Sequence, residues 1–142
     1  MPLAMLAARM WRVSEADFFA RLNKSGYPEL RMRHTLVLQA LEPAGARART
    51  LADHLGVSQQ AVAELIDELE RRGYVERLPD PTDRRARLVV LTSKGGSALR
   101  DAEAIIEQME REYAQRVGLD DYRTALRVMA RLIEQLDGAE IG

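Results

Sequence analysis

The sequence has no cysteine, which removes disulfide staples, thiolate catalysis, cysteine-ligated zinc and thiol redox switching from what its 142 residues can do. Histidine is nearly as scarce. His34 and His54 stand twenty residues apart and give a metal site little to build on. There is no glycine-rich phosphate loop and no acid pair tied to a base, so no catalytic constellation can be assigned. The chain is read as a non-enzyme without metal or cofactor. Long hydrophobic runs are also missing. Met1 to Met10 is apolar but carries Arg9 and leads into Trp11 and Arg12, without a membrane-length stretch (about 18 residues) or a signal-cleavage pattern. The expectation is a cytoplasmic protein with no membrane partner.

Charge of one sign is lacking overall, with a formal net charge of −1. A whole-chain sum can conceal a local field, and here it does. Between Arg71 and Arg87 lie six arginines against Glu76, Asp80 and Asp83, so that this segment sums to +3 and the rest of the chain is acidic. With 46% hydrophobic residues, 142 residues suffice for one cored domain.

Apolar spacing over Leu3, Leu6, Met10, Val13, Phe18, Phe19 and Leu22 predicts a first helix ending near Asn23 to Gly26. A second is expected over Leu30 to Leu41, with Leu30, Val37, Leu38 and Leu41 inward. Thr50-Leu51-Ala52-Asp53 has the form of a capping box and predicts a helix starting at Thr50. That helix stops at Leu55, because Gly56 suits a left-handed turn, and Ser58 caps the next one. Ala52, Gly56 and Val62 stand at helix-turn-helix spacing, with Leu55, Leu65, Ile66 and Leu69 inside. The second helix of the pair then turns Ser58, Gln59, Gln60, Ala61 and Glu64 outward, where a recognition helix meets base edges; a glutamine amide can engage adenine N6 and N7 together.

Tyr74 to Leu78 and Arg87 to Thr92 read as a β-hairpin joined by Pro79 to Asp83, and its tip, Asp83-Arg84-Arg85-Ala86-Arg87, carries guanidinium groups suited to phosphates and a narrow minor groove. A long helix from about Thr92 to Val117 should carry Leu99, Ile106, Met109 and Tyr113 inward. A last one after Gly118 should carry Tyr122, Leu126, Met129, Ile133 and Leu136. The terminal helices are hard to bury in one copy, so a two-fold dimer is expected, against the alternative of a monomeric helical cap. The fold class is mainly α with a small β-hairpin wing. Residues 1–142 are read as one domain, with 29–92 the winged helix-turn-helix lobe and 1–25 and 93–142 the dimerisation helices.

Leu-Gly-Val-Ser at 55–58, Leu-Glu-Arg-Arg-Gly-Tyr-Val-Glu-Arg at 69–77 and Asp-Pro-Thr-Asp-Arg-Arg-Ala-Arg-Leu-Val-Val-Leu-Thr-Ser-Lys-Gly at 80–95 resemble the multiple antibiotic resistance regulator (MarR) family. The resemblance implies a homodimeric transcriptional regulator of double-stranded DNA, in which Arg85 enters the minor groove, Asp83 orients the wing, and Arg84 and Arg87 serve phosphates. It also implies a small-molecule effector, aromatic or anionic, bound where the terminal helices meet the DNA lobe. Trp11, Arg12, Tyr27, Arg31 and His34 are the candidate pocket groups. One departure is Ala63-Glu64, where family members often carry Ser or Thr followed by a basic or neutral residue; Glu64 could instead accept from a cytosine amino group. The competing reading of the same fold is a winged-helix module that binds protein, or a paralogue that no longer binds DNA.

Overall fold

The computed structural model describes residues 1–138 and divides into two compact units, Met1–Glu103 and the residues from Ala104 onward. The order is α1 (Leu3–Lys24), α2 (Met32–Ala40), α3 (Ala48–Leu55), α4 (Gln59–Arg71), β1 (Val75–Asp80), β2 (Asp83–Leu91), α5 (Ser93–Val117) and α6 (Leu119–Asp137). Helix α5 runs from the first unit into the second.

The first unit is built on an apolar core drawn from α1 to α4 and both strands. Leu22, Leu30, Val37, Leu38, Leu51, Ala52, Val62, Ile66, Leu69, Val75 and Val89 are all buried, while Leu55 and Leu65 are half-buried. The inward sets expected for α2 and for the helix-turn-helix are thus largely met. Two short helices of this size are marginal alone, and burial of these stripes is what stabilises them.

The capping box at Thr50 is a misreading. Helix α3 begins at Ala48 with Arg47 as N-cap and no side-chain cap, so Thr50 lies inside the first turn. The cause is tertiary: Ala46 is bridged to Val89 by reciprocal backbone hydrogen bonds of 3.0 and 2.8 Å, and the chain leaves that bridge already turning. Local capping chemistry is worth about 1 kcal/mol and yields to such a tether.

The hairpin is longer than expected. Only Pro81 and Thr82 separate β1 from β2, so the Asp83 to Arg87 run is strand rather than loop. The antiparallel register passes from Val75↔Leu91 to Pro79↔Arg87 and then jumps to Asp80↔Asp83, leaving Arg84, Arg85 and Ala86 outside the ladder. Such an irregularity re-aims side chains at a strand end. Where the hairpin returns to α5, the Thr92 hydroxyl donates to the Gly73 carbonyl and accepts from the Gly95 amide. Gly95 is required there, since a Cβ would drive into the Tyr74 carbonyl oxygen.

On α5 the buried stripe is Ala98, Ala102, Ile105 and Met109. Of the four residues expected inward only Met109 is buried, Leu99 and Tyr113 are half-buried, and Ile106 is 43% exposed. The large side chains drew the reading one position off a face that alanines occupy. Helix α6 buries none of its residues. Leu119, Tyr122, Leu126, Met129, Ile133 and Leu136 recur on it at alternating spacings of three and four, the seam of a packed helix pair.

Candidate nucleic-acid interface

Gly56 ends α3 with φ +68°, a left-handed conformation that a Cβ would penalise, and Val57 N–H closes the turn on the Ala52 carbonyl at 3.1 Å. Ser58 then caps α4, its Oγ accepting from the Ala61 amide at 3.0 Å. With that cap in place the first turn of α4 faces outward: Gln59, Gln60 and Glu64 are exposed, Ala61 is half-buried and Val62 is in the core. Among the described residues no hydrogen bond engages the Gln59, Gln60 or Glu64 side chains, so their donors and acceptors face solvent.

The wing divides its polar groups between structure and display. Asp83 Oδ1 accepts from the Arg85 amide at 3.0 Å, which folds the out-of-ladder segment back on itself. Arg84, Arg85 and Arg87 are exposed, and among the described residues no ion pair or side-chain hydrogen bond occupies them. Two of the other three arginines of the basic run behave differently, while Arg71 is exposed like the wing arginines. Arg72 pairs with Glu29 at 2.9 Å, and Arg77 reaches Asp67 at 2.6 Å and Glu70 at 2.8 Å. Among the described residues, three of the four arginines of 71–87 without an ion pair therefore sit at the wing end, and Arg71 is the fourth.

Three groups escaped the sequence reading because no local pattern announces them. Asp80 is buried and accepts from Thr82 N–H and Thr82 Oγ at 2.8 Å each and from Arg47 at 2.7 and 2.9 Å. Those bonds, Thr82's first and Arg47's with them, hold its carboxyl down at about 2. Arg47 lies thirty-three residues away in sequence.

Residues 30–86, the span from the start of the lobe to the wing, match the model of the MarR family. Over those residues the chain carries the MarR pattern. Across nearly its whole length the chain is similar in fold to the PcaV transcriptional regulator from Streptomyces coelicolor, at 24% identity and TM-score 0.74, covering 98% of this chain and 100% of that one. The transcriptional repressor CouR bound to a 23-mer DNA duplex matches at 25% identity and TM-score 0.69, covering 92% of each chain. PcaV in complex with its natural ligand matches at 25% identity and TM-score 0.63, covering 93% and 92%. The family is one of transcriptional regulators.

In this fold the five residues expected to share an effector pocket are dispersed. Arg12 and Arg31 line an open groove of about 840 Å³ together with Phe19, Asn23, Arg33 and Leu36. Trp11 is 59% exposed and does not line it. Tyr27 is buried and donates to Asp101 at 2.7 Å, a bond that, with burial, pushes its hydroxyl up to about 12. His34 is wholly enclosed; its Nδ1 accepts from the Arg31 amide at 3.1 Å and its Nε2 lies 2.7 Å from Glu68 Oε2. Both ring nitrogens are engaged within the fold. Among the described residues no group of three or more His, Asp or Glu could hold a metal ion, and no helix is long and apolar enough to cross a membrane.

Proposed function

We propose that the chain acts in the cytoplasm as a homodimeric, sequence-specific DNA-binding regulator, a repressor released from a pseudo-palindromic operator by a small molecule. The observation that carries this reading is the pairing, on one lobe, of a recognition turn at Ser58, Gln59, Gln60, Ala61 and Glu64, in which Ser58 caps the helix and the Gln59, Gln60 and Glu64 side chains are unengaged, with three unpaired arginines, Arg84, Arg85 and Arg87, at the end of a wing. Glutamine amides read base edges in the major groove, and guanidinium groups neutralise phosphates and enter the minor groove. Asp83 serves by shaping the strand that presents Arg85. The similarity to CouR, whose structure contains a DNA duplex, supports the same partner here.

Two copies are needed to match two half-sites about one helical turn (~34 Å) apart. The uncovered Leu119 to Leu136 seam of α6, and exposed Leu3, Leu6, Met10 and Val13 on α1, supply apolar surface for that pairing. For release, the groove with Arg12, Arg31 and Arg33 beside Phe19 and Leu36 suits an anionic aromatic molecule, and PcaV's ligand complex supports a ligand-responsive reading. A ligand that favours the wrongly spaced conformation shifts the dimer off DNA by its differential affinity.

The test is selection of duplexes from a random pool by the purified protein, followed by a salt titration on the winner. A two-fold repeat with affinity falling steeply as salt rises is expected. Failure to enrich any duplex at low salt overturns the proposal.

A further inference from the structure

Beyond the residues that would touch DNA, the wing has a hold of its own, and the inference drawn from it rests on the DNA-binding reading above. The hairpin is gripped at two levels by two consecutive residues. Ala46 bridges Val89 through the backbone near the root. Arg47 reaches farther out and closes on Asp80, the last residue of β1, with Nε and Nη2 on Oδ2 at 2.9 and 2.7 Å. In the ladder Val89 faces Arg77, so Asp80 lies three residues nearer the tip.

Between these holds the wing is not packed against α3. A cavity of about 500 Å³ opens there, lined among others by Thr50, Leu51, His54, Leu88 and Thr82. Side-chain packing therefore does little to fix the outer wing, and the charge-assisted pair does more. The same carboxylate binds Thr82 through its other oxygen, so one buried group closes the tip turn and ties it to the N-cap of α3. Arg84 and Arg85 follow within five residues of Asp80.

We propose that Arg47 and Asp80 are positioning residues for DNA binding: a latch that sets the angle of the wing relative to the recognition helix. An acidic residue beside phosphate-seeking arginines is unfavourable on charge grounds alone, and this gives a test by sign. If only charge matters, Asp80→Asn removes a negative charge and frees Arg47, and binding tightens. If the latch matters, Asp80→Asn lets the wing drift and binding weakens.

The experiment uses the full chain and the duplex selected by the wild type. Asp80→Asn should bind about tenfold more weakly, as expected for one lost charge-assisted contact. Hydroxyl-radical protection should vanish at the outer minor grooves and persist at the central contacts. Arg47→Gln, at a side chain 44% exposed and so tolerant of change, should do the same, and the double variant should be no worse than either single one. Tighter or unchanged binding by Asp80→Asn or Arg47→Gln with the outer footprint intact overturns the latch while leaving the DNA reading standing. If the wild type selects no duplex, the DNA reading falls and takes the latch with it.

Discussion

His34 Nε2 meets Glu68 Oε2 at 2.7 Å across thirty-four residues of sequence, joining α2 to the recognition helix α4. The imidazole is fully enclosed and the carboxylate is 29% exposed, so the two partners are unequal. The histidine's hydrogen bond holds Glu68 below the usual carboxylate range, although partial burial pulls the other way. Removing Glu68 leaves a buried N–H without an acceptor, which is the costly kind of loss. Glu68→Ala should lower Tm by about 5 °C, whereas Glu68→Gln, which keeps an acceptor, should lose less; calorimetry on both decides.

Asp80 contributes to the acid limb. Its folded value of about 2 lies below its ordinary 3.8, so the stability it contributes is fully present above pH 4 and is lost as pH falls from there towards 2. Circular dichroism against pH should show wild type and Asp80→Asn converging at the acid end and diverging above pH 4, with the wild type the more stable. Parallel curves would refute this.

Neighbouring glycines on α5 should respond with opposite sign. Gly95→Ala forces a Cβ onto the Tyr74 carbonyl and should destabilise by about 1–3 kcal/mol. At Gly96 the nearest group is the far end of Arg100, 3.4 Å away, and Gly96→Ala should stabilise by about 0.5–1 kcal/mol through helix propensity. Urea unfolding of both variants measures the pair.

Arg85→Ala and Gln60→Ala separate charge from base reading. Loss of Arg85 should weaken binding to all duplexes and lower the salt slope by about one. Loss of Gln60 should act at one or two base pairs with the slope unchanged. Equal behaviour would argue against the assigned roles.

On α6, Leu126 and Ile133 are 48% and 40% exposed and lie one heptad apart. Leu126→Glu combined with Ile133→Glu should convert a dimer to a monomer in sedimentation while circular dichroism holds, because a charge cannot be desolvated in an apolar seam. A variant pair that sediments with the wild type would show that the seam is not the interface.

What the sequence determined by itself is whatever depends on neighbours in the chain. Gly56 and Ser58 mark a turn between two helices because left-handed backbone and N-capping are local chemistry, and the hydrophobic periods of α2 and α4 name their buried faces without a partner in view. The tertiary structure decided what depends on distant groups. Helix α3 starts at Ala48 rather than Thr50 because Ala46 is stitched to Val89, and the tip arginines leave the ladder where Asp80 closes on Thr82. The same holds for charge. Six arginines look alike in the sequence, but Asp67, Glu70 and Glu29 engage two of them and leave unpaired the three at the wing end and Arg71. His34 and Tyr27, chemically suited to a ligand, are turned to Glu68 and Asp101 instead, since a buried polar atom takes whichever partner the packing brings within reach.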